Sequence, residues 1–278
     1  MTCETVYLRP EDKNVRLETY ICRREGDMYW EDRKRDAVIV IPGGAYSFLA
    51  EREAEPCAKS FIGAGFNAFV LYYSLNERAK FPRPLQEISM AISHIRTNAD
   101  KYNIDPDRIF VCGFSAGGHL AGAIGTLWNR PCAAFEGMEP GQNRPCGMIL
   151  CYPVITLGEY AHQLSRNIIT GTQDPTQEQI DEYSLEKQVG PDTVPAFIWQ
   201  TQEDNCVDIR NTLMMVNALV EAGIPTEYHM FPFGSHGMSI ATEDTRGWDP
   251  ATVDPHVANW VHLAIEWSEK LKHRNSEK

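Results

Sequence analysis

A chain of 278 residues with a formal net charge of -12 has the size of one large α/β domain and the wrong sign for a phosphate backbone or an anionic lipid surface. Its 43% hydrophobic and 23% charged residues are ordinary for a packed core under a wetted surface, and no run reaches the roughly 18 apolar residues that a membrane helix needs. The 8 cysteines are scattered without a Cys-x-x-Cys pair, which argues for a reducing compartment and against a disulfide framework.

The N-terminus, MTCETVYLRPEDKNVRLETY, has neither a basic n-region nor an apolar h-region, so the cytoplasm is the expected address. TVYLRP and VRLETYICR alternate apolar and polar residues and predict meander-like strands. From residue 37 the rhythm changes. The apolar runs AVIVIPGG (37–44), FNAFVLYYSL (66–75), RIFVCG (108–113), GMILCYPVI (147–155), PAFIWQT (195–201) and TEYHMFPF (226–233) are separated by helical patterns. Several runs are apolar at successive positions, the mark of strands covered on both faces, as in a parallel sheet.

Four stripes predict helix faces that turn toward that sheet. They are Ala54, Cys57, Ala58, Phe61 and Ile62; Leu85, Ile88, Ile92 and Ile95; Leu213, Val216 and Val220; and Val257, Trp260, Val261, Ala264 and Ile265. Repeated β-α units imply right-handed crossovers in one sheet, hence a single domain over 1–278. Residues 156–194 are polar and irregular, and are read as a small insertion after the sixth strand, lying over the sheet's C-terminal edge.

VCGFSAGGHL, residues 111–120, follows a buried-type run and precedes a helix-compatible one. A serine between two glycines at a strand-to-helix turn sits in a strained backbone conformation with its hydroxyl presented at the sheet edge. Ser115 is therefore a candidate nucleophile, and the Ala116 amide at the helix start faces any developing oxyanion. A serine hydroxyl needs a base. Of the 8 histidines, His119 lies one helical turn past Ser115 and should point into the body of the fold. His94 sits in a helix and His229 in a strand. His162, His256, His262 and His273 lie in the insertion, the last helix and the tail. His236 alone follows a strand between Gly234 and Gly237, in the loop FGSHG, and is the candidate base.

The acid that would orient it comes from the loop after PAFIWQT. Glu203, Asp204 and Asp208 are all candidates, and Asp204 is preferred because Asp208 falls where a helix-capping carboxylate belongs. In Pro42-Gly43-Gly44-Ala45-Tyr46 the glycines let backbone approach a bound carbonyl oxygen, so Gly44 or Ala45 offers a second oxyanion amide. Metal-type His-x-x-x-His and Cys-x-x-Cys pairs are absent, as is a Gly-x-Gly-x-x-Gly dinucleotide loop, so no metal or organic cofactor is expected.

Taken together, IPGGAY, DPDRIFVCGFSAGGHLA, PAFIWQTQEDNCV and AGIPTEYHMFPFGSHGMS resemble the α/β-hydrolase superfamily. The likeness is to its esterase/lipase branch with acetyl-xylan-esterase-like and feruloyl-esterase-like enzymes. It extends over nearly the whole chain from about residue 35. It implies the α/β-hydrolase fold, a mostly parallel central sheet with helices on both faces. It also implies Ser115, Asp204 and His236 as the triad, in the chain order of that fold, with Gly44, Ala45 and Ala116 as oxyanion donors.

The implied activity is hydrolysis of short acyl esters, acetyl above all, on xylo- or other oligosaccharides. A peptidase or amidase, or a general short-chain carboxylesterase, would use the same triad. A silent binding protein would be free to lose a triad member. Tyr46, Trp128, Tyr152 and Trp248 are candidate platforms for a sugar ring, and a homodimer is suggested by the likeness alone. Two departures stand out. Ala45 replaces a glycine of the usual oxyanion loop, which keeps its N–H in place if φ there is negative. Asp204-Asn205-Cys206-Val207-Asp208 replaces the usual Asp-x-x-Val-Pro.

Overall fold

The computed structural model describes residues 1–23 and 34–276. Strands β1 (Thr2–Tyr7) and β2 (Arg16–Ile21) pair antiparallel, and β2 continues antiparallel to β4 (Asn67–Tyr72). Every other pairing is parallel. It joins β3 (Arg35–Ile41), β4, β5 (Ile104–Phe114), β6 (Gly147–Cys151), β7 (Ala196–Thr201) and β8 (Thr226–Phe231). The sheet order is β1-β2-β4-β3-β5-β6-β7-β8. The runs apolar at successive positions are the inner strands. All five residues of β6 and all six of β7 are buried.

Alternate residues of each strand feed two cores. Ile39 and Ile41 look to one face, Val38 and Val40 to the other. The first face packs α2 (Arg83–Thr97), α3 (Ala99–Tyr102), α4 (Ala116–Leu127) and α7 (Arg210–Glu221). The second packs α1 (Glu55–Gly63) and α8 (Trp260–Ser276). This is the α/β-hydrolase architecture, with helices on both faces of a mostly parallel sheet. Because the strands from β3 onward run the same way, the loops after β3, β5, β7 and β8 emerge at one edge, where ligands of such sheets sit. Among the described residues no helix is long and apolar enough to cross a membrane.

One helix face differs from its sequence pattern. Leu213 and Val220 are 42% and 64% exposed, while Met215 and Leu219 point inward together with Asn211 and Thr212. The polar pair sets the rotation of α7. Asn211 Oδ1 accepts the N–H groups of Ile155 and Thr156, and Thr212 bonds Gln200. A buried side-chain amide with such partners outweighs the outward turn of two aliphatic residues.

Residues 156–194 carry α5 (Gln163–Thr170) and α6 (Gln177–Tyr183). They are pinned to the domain by Leu157, Ile169, Leu185 and Val194 in the first core, and by hydrogen bonds from Phe81 N–H to Ile169 and from Leu185 N–H to Ile155.

Candidate active site

β5 ends one residue before Ser115, and α4 begins one residue after it. The turn between them forces Ser115 to φ 52° and ψ -115°, a left-handed conformation that costs a non-glycine residue about 1–3 kcal/mol. Neighbours hold it there. Ser115 N–H donates to the Cys151 carbonyl (3.0 Å), and its own carbonyl accepts the N–H groups of His119 (3.1 Å) and Val154 (3.0 Å). Such over-determination is what lets strain persist at a functional position.

His236 lies in the loop after β8. Its Nδ1 is 2.8 Å from Asp204 Oδ2 and its Nε2 is 2.9 Å from Ser115 Oγ. A carboxylate can only accept, so Nδ1 carries the proton and Nε2 accepts from the serine hydroxyl. The Asp204 side chain is wholly buried, and that of His236 is 17% exposed. Burial alone would raise the Asp204 pKa. The hydrogen bond and charge of His236, with the N–H groups of Cys206 and Val207 on Oδ1, outweigh it and hold the carboxyl below its usual range. The neighbouring acids do not reach the ring: Glu203 is exposed, and Asp208 pairs with Arg210 and accepts its backbone N–H.

The loop after β3 lies against the nucleophile. A Cβ on Gly43 would sit 2.9 Å from Ser115 Cβ. Gly44 adopts φ 123°, and its carbonyl accepts the N–H groups of both Ser47 (2.9 Å) and Phe48 (3.1 Å). That tight return drives Ala45 to φ 56° and Tyr46 to φ 63°. The φ at Ala45 is therefore positive, against the expectation of a negative one, and alanine carries strain where the usual glycine would be unstrained. Its N–H is still left without a protein acceptor among the described residues, as are those of Gly44 and Ala116.

The four aromatic candidates separate. Tyr46 is fully buried, with its ring edge-on to Tyr73, Phe81 and His119 and its hydroxyl 2.9 Å from His119 Nδ1. Tyr152, 1% exposed, lies under His236 and is equally closed to a sugar. Both readings as stacking platforms are corrected: these rings are packed as support beneath the site. Trp128 follows the last residue of α4, at the far end from Ser115. Its indole N–H donates to Asp192 (2.8 Å), and Arg144 lies over its ring. It too has no access to the site. Trp248 is fully exposed.

Sequence reasoning passed over two residues. Glu53, a surface-type residue by identity, is 2% exposed beside the oxyanion loop. His162, in the insertion, has a pKa lowered first by burial and then by the charge of His236, with Asp204 opposing, and its Nδ1 lies 2.9 Å from Ser165 Oγ. His119 is buried as expected. Its Nε2–H donates to the Tyr183 carbonyl (2.9 Å), so Nδ1 accepts from Tyr46.

Residues 27–219 match the family model described as BD-FAE. The chain is 41% identical over 222 residues to endo-1,4-beta-xylanase B of Butyrivibrio fibrisolvens, covering 78% of this chain and 35% of that one. It is 30% identical over 213 residues to an acetylxylan esterase of Xylanibacter ruminicola, covering 74% of this chain and 42% of the relative. Thus it spans well under half the length of these curated relatives. A solved structure of an acetyl ester-xyloside bifunctional hydrolase from Caldicellulosiruptor lactoaceticus superposes with TM-score 0.82 and 31% identity, covering 97% of this chain and 96% of that one.

Proposed function

The chain belongs to the BD-FAE family within the α/β-hydrolase superfamily, and from that premise we propose that it is a serine carboxylesterase removing short acyl groups, acetyl above all, from xylo- or related oligosaccharides. One observation carries the reading: Ser115 Oγ, His236 and Asp204 form a continuous hydrogen-bonded line of 2.9 and 2.8 Å at the sheet's C-terminal edge.

In this mechanism Ser115 Oγ attacks the ester carbonyl while His236 Nε2 takes its proton. Asp204 keeps Nδ1–H in place and stabilises the imidazolium that forms. The oxyanion is met by the N–H groups of Ala116 and of Gly44 or Ala45, which are free to donate. His236 then gives that proton to the departing sugar oxygen as its bond to the acyl carbon breaks. A water deprotonated by the same ring attacks the acyl-serine, and acetate leaves as the proton returns to Ser115 Oγ. Each step uses side chains and amides of this chain and calls on no cofactor. The acetyl and xylo-sugar preference is supported by the names of the relatives, an acetylxylan esterase and an acetyl ester-xyloside hydrolase. Trp248 remains the aromatic candidate for a sugar contact. Free thiols at all 8 cysteines support a reducing, cytoplasmic setting, and a homodimer is carried by family likeness alone.

The test is acetate release from acetylated xylo- and manno-oligosaccharides, with 4-nitrophenyl acetate, butyrate and an anilide in parallel. Sugar-linked acetate release supports the proposal. Turnover of nitrophenyl esters alone keeps the esterase and moves the search to another alcohol. Preference for the anilide replaces the esterase with an amidase.

A further inference from the structure

Glu53 closes the short helical turn Glu51–Glu53 that follows the oxyanion loop. A buried carboxyl group without a cation is costly, and among the described residues none pairs with it. Its two hydrogen bonds come instead from opposite sides of the site. Oε2 accepts the N–H of Gly43 at 2.8 Å. Oε1 accepts the hydroxyl proton of Tyr152 at 2.8 Å. The Tyr152 oxygen in turn accepts the N–H of Ser239, three residues past His236, at 2.9 Å. The Tyr152 ring stands edge-on to the His236 imidazole, with centroids 4.9 Å apart.

We propose that Glu53 is a positioning residue: its carboxyl group ties the oxyanion loop, through Gly43, to the histidine loop, through Tyr152 and Ser239. The proposal rests on the esterase reading above. The chain Gly43–Glu53–Tyr152–Ser239 is satisfied only when both loops occupy one register. The same place is where a Cβ on Gly43 would be 2.9 Å from Ser115 Cβ and 2.8 Å from Glu53 Oε2, so the carboxyl, the loop and the nucleophile share one contact.

The far end of the chain is anchored as well. Ser239 Oγ–H donates to the Arg52 carbonyl at 2.6 Å, and its own carbonyl accepts the Trp260 indole N–H at 2.9 Å. Glu53 is 2% exposed and its carboxyl hydrogen-bonds Gly43 and Tyr152, not a triad side chain. It acts by keeping the amides of Gly44 and Ala45 and the ring of His236 at a fixed separation, and a displacement of ~1 Å in such a constellation costs turnover about 10²-fold.

Glu53→Gln keeps the shape but supplies one acceptor oxygen where two donors arrive. Tyr152→Phe keeps the edge-on ring against His236 and cuts the same chain one bond further along. Both variants, the double variant and Ser115→Ala are compared with wild type on 4-nitrophenyl acetate, with thermal unfolding recorded for each. The expected result is a fall in kcat of about 10- to 100-fold in each single variant with KM within about two-fold, and a double variant no worse than the poorer single. A folded Glu53→Gln enzyme with kcat within about two-fold of wild type, or single effects that multiply in the double variant, overturns the proposal. If Glu53→Gln does not fold, Tyr152→Phe decides by the same criteria. Wild-type protein that hydrolyses no ester overturns the esterase reading and this proposal with it. Hydrolysis lost in Ser115→Ala but kept in Glu53→Gln overturns this proposal alone.

Discussion

Gly117 and Ile41 meet backbone to backbone: a Cβ on Gly117 would drive into the carbonyl oxygen of Ile41. The second glycine of Gly113-Phe114-Ser115-Ala116-Gly117 is thus a packing requirement between α4 and the end of β3. Gly117→Ala must push the helix off the strand. The expected cost is about 1–3 kcal/mol or more, because both partners are backbone and neither can rotate away. Thermal unfolding of the variant is the check, and an unchanged midpoint would contradict the contact.

Asp204→Asn keeps the size of the side chain but removes the acceptor that fixes Nδ1–H on His236. Turnover should fall about 10³- to 10⁴-fold with the protein still folded, measured as kcat on 4-nitrophenyl acetate. The same substitution changes acid stability. The folded carboxyl is held below its ordinary value of 3.8. Its ionisation therefore stabilises the fold above that value, and the contribution is lost as pH falls from there through the lower folded value. Wild type should lose stability more steeply in that window than the asparagine variant, as read from urea midpoints against pH.

Gly44→Ala attacks the oxyanion loop directly. A Cβ there would collide with the Phe48 carbonyl, and φ of 123° is closed to alanine. The loop must open, which withdraws the Gly44 and Ala45 amides. Loss of an oxyanion donor lowers kcat about 10²- to 10³-fold, and KM for 4-nitrophenyl acetate should change far less. A variant with wild-type kcat would remove this loop from the mechanism.

His119 gives a stability signal separate from catalysis. Burial pushes its pKa down from 6.5 to about 4, with the hydrogen bond to Tyr183 opposing. Between those values the unfolded chain takes up a proton that the folded chain refuses, so stability falls as pH drops from 6.5 toward 4. The loss is on the order of 3 kcal/mol for a group held neutral over that span. His119→Gln keeps an acceptor for Tyr46 and a donor for Tyr183 but does not titrate, so its stability curve should be flatter there. Equal slopes for the two proteins would contradict the burial argument.

The side chains that meet at Ser115 were legible because each carries a local signal. Ser115 follows a buried run and opens a helix, His236 stands between glycines after the last strand, and Asp204 follows β7. The fold class was readable for the same reason, since strands covered on both faces are apolar at successive positions. What lay hidden depends on contacts between distant segments. Glu53 and Tyr152 are 99 residues apart in sequence, and neither identity announces a buried hydrogen bond. Tyr46 read as a sugar platform because an aromatic residue in a loop looks the same from sequence whether its ring is open or packed. The outward turn of Leu213 and Val220 was hidden because Asn211 and Thr212 look like surface residues until their partners inside are seen.

The most direct measurement is mass analysis of the protein after reaction with a fluorophosphonate, alongside loss of 4-nitrophenyl acetate hydrolysis. The account predicts one covalent adduct per chain on the peptide that contains Ser115, inactivation in step with labelling, and neither adduct nor hydrolysis in Ser115→Ala. Labelling at another residue, or ester hydrolysis that survives in Ser115→Ala, would contradict it.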